Sequence, residues 1–211
     1  MHKEAEHRLG SDSDGLIRIG APDYFDFQIF SSLLGQFAAR YPAVRLQVEL
    51  GIGPDISALL DGGALDIAIV ASEIGEGDGI SLCRERRVWA GGRDMHLIPE
   101  MPAPLALYPP HCRWRQLALE RLDQAGRSWT MVLQSAGTAG ILAALGAGLG
   151  ITIFPEYASA LPDFEFVLRR SRNNSPAATH LADTITNYFQ LSSALRPGGG
   201  MNYEAPPNFR L

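Results

Sequence analysis

Hydrophobic and polar residues follow two different spacings along the first part of the chain, and these predict strands and helices in turn. Leu16–Gly20 alternates like a strand, and apolar residues then recur at helical spacing over Tyr24–Arg40. Pro42 follows the predicted end of that helix. Pro22 is expected to stop the strand, and Asp23 is expected to cap the helix.

The same order of strand and helix continues after this helix. Strands are predicted at Val44–Leu50 and Leu65–Val70, and the short helix between them starts at Pro54 or Asp55 and ends at Gly62. Strands separated by helices in this way form parallel pairs joined by right-handed crossovers. The first third of the chain is therefore predicted to be an α/β structure.

The regular alternation is interrupted near the middle of the chain. A strand is predicted to run from Ile80 to Trp89, and the pattern is then irregular up to Glu100. We interpret the interruption as a boundary between two lobes. The elements predicted after it are a strand at Leu105–Tyr108, a helix at Trp114–Gln124 and a strand at Trp129–Leu133.

The stretch Ser135–Pro155 has the clearest pattern in the chain: a helix, a glycine-rich turn and a buried strand. Ser135 or Thr138 is expected to cap the helix, and Pro155 is expected to end the strand Ile151–Phe154. Such a step belongs to layered α/β domains, in which ligands bind beyond the carboxyl ends of the strands. The elements predicted after it are a helical turn at Glu156–Ala160, a strand at Phe164–Arg169 and a helix from Ser175 to about Gln190.

Composition narrows the classes of function. With 211 residues, 46% hydrophobic and 19% charged, the chain can form one large domain or two small lobes. The net charge of −5 argues against nucleic-acid binding by this chain alone, because phosphate contacts need an excess of Lys and Arg. No apolar run approaches the ~20 residues of a membrane span, and the N-terminal residues are too polar for a secretory signal. We therefore expect a cytoplasmic protein with no membrane partner.

Motifs for catalysis and metal binding are missing from the sequence. It contains no G-x-S-x-G elbow, phosphate-binding loop, zinc-ligand spacing or paired-carboxylate motif, so we predict no catalytic residues, no metal, no cofactor and no enzymatic activity. Cys83 and Cys112 have neither a disulfide framework nor a metal-ligand spacing. Two reduced thiols are expected, with a thiol-based redox sensor as the alternative.

Six phrases of the chain, taken in order, resemble the effector-binding domain of LysR-type transcriptional regulators. They are GLIRIGAPD, FAARYPAVRLQVELG, LLDGGALDIAIV, the pair Val88-Trp89, PLALYPPHCRWRQLALERLDQAGRSW and AALGAGLGITIFP. The resemblance implies a type 2 periplasmic-binding-protein-like fold, which is an α/β fold of two Rossmann-like lobes joined by two crossover strands. It also implies a cleft for a small-molecule effector between the lobes.

The resemblance also implies a division of the chain and a set of partners. Lobe I is expected at residues 15–87 and 161–192 and lobe II at residues 88–160, between a linker remnant at 1–14 and a flexible tail at 193–211. The winged helix-turn-helix of the family is not recognisable in this sequence, so DNA binding is expected only through such a separate N-terminal domain. A homodimer or homotetramer is expected, and a solute-binding protein of the same fold is the alternative function.

Strand ends and helix N-termini would line such a cleft, because their free N–H groups favour polar or anionic ligand groups. The group at residues 134–138 is the preferred one, although each group has a purely structural alternative as a cap, turn or core residue. Asp23 disfavours a carboxylate nearby, which gives weight to an uncharged or cationic ligand group there. The predicted ligand contacts are Pro22, Asp23, Tyr24 and Phe25; Gly51 with Ser72; Gln134, Ser135, Gly137 and Thr138; and Cys112 with Phe154 and Pro155.

The arginines of the predicted strand at Ile80–Trp89 form a short run of positive charge, Arg84, Arg86 and Arg87. A solvated face or a salt bridge between lobes explains this run with fewer assumptions than phosphate binding.

Overall fold

A computed structural model describes residues 15–92, 95–156, 163–172 and 174–192. Strands and helices alternate through most of these ranges, which confirms the predicted α/β class. The predicted linker, the tail and all of the predicted turn at Glu156–Ala160 except Glu156 lie outside the described residues. The elements are β1 (Leu16–Pro22), α1 (Phe27–Arg40), β2 (Arg45–Gly51), α2 (Gly53–Asp61), β3 (Ile67–Ser72), β4 (Ile80–Ala90), β5 (Ala103–Leu107), α3 (Arg113–Gln124), β6 (Trp129–Gln134), α4 (Thr138–Gly146), β7 (Thr152–Glu156), β8 (Phe164–Arg170) and α5 (Pro176–Ser192).

The described residues fall into two compact units. Unit 1 holds residues 15–51, 55–84, 164–172 and 174–192, and unit 2 holds residues 52–54, 85–92, 95–156 and 163. The chain passes from unit 1 to unit 2 within β4, between Arg84 and Glu85, and returns between Asp163 and Phe164 at the start of β8. The sequence-based boundaries were Arg87/Val88 and Ala160/Leu161.

Unit 1 is built on a mixed sheet in the order β2-β1-β3-β8, followed by β4. β1 runs parallel to β2 and to β3, as the predicted crossovers require, and β8 is antiparallel to β3. The backbone of β1 comes so close to α2 that a Cβ at Gly20 would lie 2.8 Å from Ile56 Cγ2. The fully buried side chains of this sheet and its helices include Ile17, Ile19, Leu33, Phe37, Ile67, Ile69, Phe166 and Leu181.

Unit 2 contains the parallel pair β5 and β6, and β7 lies antiparallel to the second half of β4. A bridge from Leu105 to Ile151 connects β5 to the residue before β7. The side chains that form its core include Leu105, Leu107, Tyr108, Leu122, Ile141, Leu145 and Ile153, each at most 1% exposed.

The two helix caps predicted from sequence are wrong. Asp26 caps α1, because its Oδ1 accepts hydrogen bonds from the N–H groups of Gln28 (2.8 Å) and Ile29 (3.0 Å). Asp23 cannot do so because β1 extends to Pro22 and the helix starts only at Phe27.

At α4 the cap residue is Gly137, and neither predicted hydroxyl caps the helix. The Ser135 hydroxyl donates to the Gly137 carbonyl (2.7 Å) and accepts its N–H (3.1 Å), which closes the turn before the helix. The Thr138 hydroxyl is bonded to Tyr108 instead.

Pro22 and Pro155 lie within strands, although both were predicted to end them. Pro22 pairs with Gly51 in β2, at a point where the ladder from β1 to β3, Ile19–Gly20, has already ended. Pro155 lies in β7 and pairs with Arg87 of β4. β7 is the last strand in the sheet order. Strands tolerate proline where no second neighbour needs its missing N–H.

Candidate functional site

In unit 1 the carboxyl ends of β1 and β2 lie side by side. The parallel register places Pro22 opposite Gly51, and the Asp23 N–H donates to the Gly51 carbonyl at 3.1 Å. The structure therefore brings Pro22, Asp23 and Gly51 together, with the Asp23 side chain half-buried. Their contact with a ligand stays a prediction.

Tyr24 and Phe25 belong to the aromatic core of unit 1. They are 5% and 7% exposed, and their ring centroids lie 6.3 Å and 4.9 Å from that of Phe166. This packing matches the structural alternative considered for both residues. It holds the backbone that follows β1 in place through buried apolar surface.

Ser72 ends β3 opposite Glu165, the residue of this region that sequence reasoning missed. Glu165 is 3% exposed, and its carboxylate accepts hydrogen bonds from the Gly75 N–H (2.9 Å), the Ser81 hydroxyl (2.7 Å) and Arg84 Nε (3.5 Å). Burial raises the pKa of Glu165, but these hydrogen bonds and the Arg84 charge outweigh burial and lower the pKa below its usual value. A glutamate within the apolar run FEFVL was the signal for it.

In unit 2 a chain of hydrogen bonds joins the ends of β5 and β6 to α3 and α4. Arg115 Nη1 donates to the Tyr108 carbonyl (3.2 Å) and to Gln134 Oε1 (2.8 Å). The Tyr108 hydroxyl lies 2.8 Å from Thr138 Oγ1, and both side chains are buried. We call Tyr108, Arg115, Gln134 and Thr138 the unit 2 polar network.

The structure thus brings the preferred candidates Gln134 and Thr138 into one network, and it adds two residues that were not predicted. Tyr108 and Arg115 lie on elements far from α4 in sequence, so only tertiary structure places them there. Ser135 and Gly137 shape the turn between Gln134 and Thr138. A Cβ at Gly140 would collide with Ser135 Oγ, so this turn depends on glycine in the first part of α4.

Cys112, Phe154 and Pro155 lie in the interior of unit 2. Cys112 immediately precedes α3 and is 1% exposed, and Phe154 pairs with Val88 in the ladder between β7 and β4. Neither Cys112 nor Cys83, which lies in unit 1, forms a disulfide bond. Contact of these residues with a ligand also stays a prediction.

β2 and β6 each present two apolar side chains to solvent. β2, which ends the sheet order of unit 1, exposes Val48 (37%) and Leu50 (54%), and β6 of unit 2 exposes Met131 (47%) and Val132 (44%). Phe27 at the start of α1 is 81% exposed. Open strand edges with apolar side chains favour pairing with another chain.

The described part of the chain contains no group of three or more His, Cys, Asp or Glu side chains arranged to hold a metal ion. Among the same residues, no helix has the length and apolar character needed to cross a membrane.

Two α/β units connected by two crossover segments are the organisation of periplasmic-binding-protein-like domains. The family model of the LysR substrate binding domain matches residues 10–182 of this chain. The chain belongs to this family, as its motifs indicated.

Two curated relatives are regulators of this family. The chain is 30% identical to the HTH-type transcriptional regulator DgdR of Burkholderia cepacia over 160 residues, which cover 75% of this chain and 54% of DgdR. It is 26% identical to the HTH-type transcriptional regulator PecT of Dickeya dadantii over 143 residues, covering 68% of this chain and 45% of PecT. The chain thus spans about half the length of the curated relatives it matches.

Solved regulatory domains share the fold. The regulatory domain of CcmR from Synechocystis PCC6803, in complex with 2-PG, superposes with a TM-score of 0.65 at 15% identity over 83% of this chain and 98% of that one. The effector binding domain of QuiR, in complex with shikimate, gives 0.64 at 13% identity over 84% and 98%. The regulatory domain of HypT from Salmonella typhimurium gives 0.67 at 17% identity over 83% and 96%. These likenesses confirm the predicted fold.

Proposed function

We propose that this chain is the effector-sensing part of a LysR-type DNA-binding transcriptional regulator. A small molecule binds to the chain and shifts the balance between its conformations, and this shift controls transcription. The family match over residues 10–182 carries the proposal. It is supported by the effector complexes of two structural neighbours, QuiR with shikimate and CcmR with 2-PG.

The unit 2 polar network would hold the polar end of the effector. Arg115 donates a hydrogen bond to Oε1 of Gln134, so the Nε2 hydrogens of the same amide lie on its other side. The first N–H groups of α4 add donors with a partial positive charge. This surface suits an acceptor such as a carboxylate or hydroxyl oxygen.

Within unit 1, the ends of β1 and β2 form a second candidate surface for ligand groups. Asp23 follows Pro22, and its N–H is bonded to the Gly51 carbonyl. A carboxylate on this residue disfavours a second carboxylate nearby and favours a hydroxyl or another donor. A hydroxylated carboxylic acid combines both properties.

The first test is thermal unfolding of the purified chain with a panel of hydroxylated carboxylic acids that includes shikimate. A specific ligand at a hundredfold excess over its Kd stabilises the folded state by about 2.7 kcal/mol. We expect Thr138→Val to reduce this stabilisation, because it removes a hydroxyl from the polar network. Thr184→Val is the matched control, since its hydroxyl bonds to the His180 carbonyl (2.8 Å) on α5. Equal ligand-induced shifts in both variants would contradict the proposed site.

A second copy of this chain would cover the exposed edges of β2 and β6, giving the homodimer or homotetramer implied by the family. The support is the apolar surface of Val48, Leu50, Met131 and Val132 on these strands. Sedimentation equilibrium should show that Leu50→Glu weakens association, whereas Leu191→Glu, at the end of α5, leaves it unchanged. Unchanged association in Leu50→Glu would exclude the β2 edge from the contact.

The remaining properties follow from this role. The domain acts by binding, with no reaction and no cofactor, and it works in the cytoplasm beside the genes it regulates. DNA contacts belong to a separate domain of the regulator, because a net charge of −5 is unsuited to phosphate binding. A purified chain that turns over a panel acid would refute the absence of catalysis.

A further inference from the structure

Two arginines of β4 pair with carboxylates of their own unit. Arg84 lies 3.5 Å from Glu165 in unit 1, and Arg87 lies 3.9 Å from Asp163 in unit 2. These ion pairs are internal to each unit, whereas one interpretation of the sequence placed a salt bridge between lobes. The positive charge of both side chains is balanced in this way.

Arg115, near the start of α3, has acceptors of a different kind. Its Nη1 donates to the Tyr108 carbonyl at 3.2 Å and to Gln134 Oε1 at 2.8 Å, and both acceptors are uncharged. Arg113 and Arg121 of the same helix pair with carboxylates at 3.0 Å and 3.4 Å. Among the described residues, no carboxylate forms an ion pair with Arg115. Its guanidinium is therefore held in place by groups that do not neutralise its charge.

The two hydrogen bonds of Arg115 use only one nitrogen of the guanidinium. Nη1 carries two hydrogens, and the two acceptors account for both. Nε and Nη2 share the edge away from Nη1, and within the described chain their N–H groups have no acceptor. Neither atom is among the buried unpaired nitrogens of the described residues, which include Arg127 Nε. The Nε–Nη2 edge of Arg115 therefore reaches solvent.

The Nε–Nη2 edge of an arginine suits a carboxylate. Its two N–H groups are parallel and match the two oxygens, so the pair forms through two charge-assisted hydrogen bonds. A phosphate monoester brings about two negative charges at neutral pH, whereas Arg115 is the one cation of the unit 2 polar network. The charge of the network therefore matches a single carboxylate.

We propose that the Nε–Nη2 edge of Arg115 binds the carboxylate of an acidic ligand. The inference rests on the proposed function for the role of that ligand, which is the effector. It adds a charged anchor on α3 to the Gln134 amide and the first N–H groups of α4, and it makes the effector an anion. The bonds from Nη1 to Tyr108 and Gln134 orient the edge before the ligand arrives, which lowers the entropy cost of binding.

The test is an NMR titration of the isotope-labelled parent chain with sodium acetate, with sodium chloride at the same ionic strength as the reference. The Nε–H resonance of Arg115 is assigned through bonds, so this measurement needs no variant. We expect acetate to shift the resonance saturably and chloride to leave it in place. An unmoved resonance, or an equal response to chloride, would overturn the proposal. Tighter binding of inorganic phosphate than of acetate at Arg115 would overturn the choice of a carboxylate.

Arg115→Lys separates the paired N–H groups from the charge. Lysine keeps the positive charge but lacks the parallel pair of donors, so the affinity for acetate should fall about tenfold. The affinity is measured from the shift of the Gln134 side-chain amide, which adjoins residue 115 in the parent chain. Arg113→Lys is the control, because Arg113 lies on the same helix and pairs with Glu120. It should bind acetate as the parent does, and an equal loss in both variants would contradict the assignment to Arg115.

A further comparison separates this inference from the proposed function. If acetate binds at Arg115 but no acid of the panel stabilises the chain, the carboxylate site stands and the proposed class of effector fails. If a panel acid stabilises Arg115→Lys as strongly as the parent chain, the proposed function stands and Arg115 is not the anchor of the effector.

Discussion

The residues that follow the parallel strands differ between the two units: they pack as aromatic rings in unit 1 and form side-chain hydrogen bonds in unit 2. In unit 1 the residues after β1 bury aromatic rings, with Tyr24 and Phe25 packed against Phe166. In unit 2 the residues after β5 and β6 form hydrogen bonds, with Tyr108 bonded to Thr138 and Arg115 bonded to Gln134. The same strand-to-helix step thus serves as an apolar anchor in one unit and as an ordered polar surface in the other.

The largest expected effect comes from the aromatic anchor. Phe166→Ala would leave a cavity among Tyr24, Phe25 and Phe164, and we expect it to lower the free energy of unfolding by about 3–5 kcal/mol. Denaturant unfolding measures this directly. Phe27→Ala is the control, because that ring is 81% exposed and its loss should cost at most about 0.5 kcal/mol. Similar losses in both variants would contradict the assignment of the anchor.

Loss of the Tyr108 hydroxyl from the polar surface of unit 2 should lower the stability of the folded chain. Tyr108→Phe leaves the buried Thr138 hydroxyl without this partner, at an expected cost of about 1–3 kcal/mol in stability. A double-mutant cycle with Thr138→Val measures the coupling between the two side chains. Additive effects, within about 0.5 kcal/mol, would show that the hydrogen bond contributes nothing.

The two aspartates near α1 distinguish the observed cap from the predicted one. Asp26→Ala should destabilise the chain by about 1 kcal/mol, because it removes the acceptor of two helical N–H groups. Asp23→Ala should cost less, since Asp23 does not cap the helix. The urea midpoints of the two variants show which aspartate caps the helix. A larger loss of stability in Asp23→Ala than in Asp26→Ala would contradict the observed cap.

The smallest expected effect is a change in stability that appears only at acidic pH. The pKa of Glu165 is lowered in the folded state, so the unfolded state takes up this proton first as the pH falls. The stability contributed by the ionised carboxylate is present above about pH 4.5 and is lost as the pH falls from there through the folded pKa. The stability difference between the parent and Glu165→Gln should therefore shrink below about pH 4.5. A difference that is constant down to acid pH would contradict the role of the ionised form.

Sequence periodicity was sufficient to order the strands and helices, because burial of one face imposes a repeat that is local in sequence. The helix caps were harder to predict from the sequence. Asp23 and Asp26 are both suitable cap residues, and the choice depends on how far β1 pairs with β2, which is a tertiary property. The same holds for Pro22, whose place in the strand depends on where pairing with β3 ends.

The candidate site was predicted only in part, for a related reason. Gln134 and Thr138 were found because they precede a helix, but their partners Arg115 and Tyr108 are 19 and 30 residues away in sequence. No local pattern joins such pairs. Tyr24 and Phe25 were ambiguous between core and ligand contact until their packing on Phe166 was seen.

Amide chemical-shift mapping tests most directly whether the polar surface of unit 2 holds the effector. Shikimate, or the panel acid that raises the Tm most, is titrated into isotope-labelled chain. We expect the largest shifts on the Gln134 side-chain amide and on the backbone N–H groups of Thr138 and Ala139. A saturable titration whose largest shifts lie elsewhere, with these three groups unmoved, would contradict it.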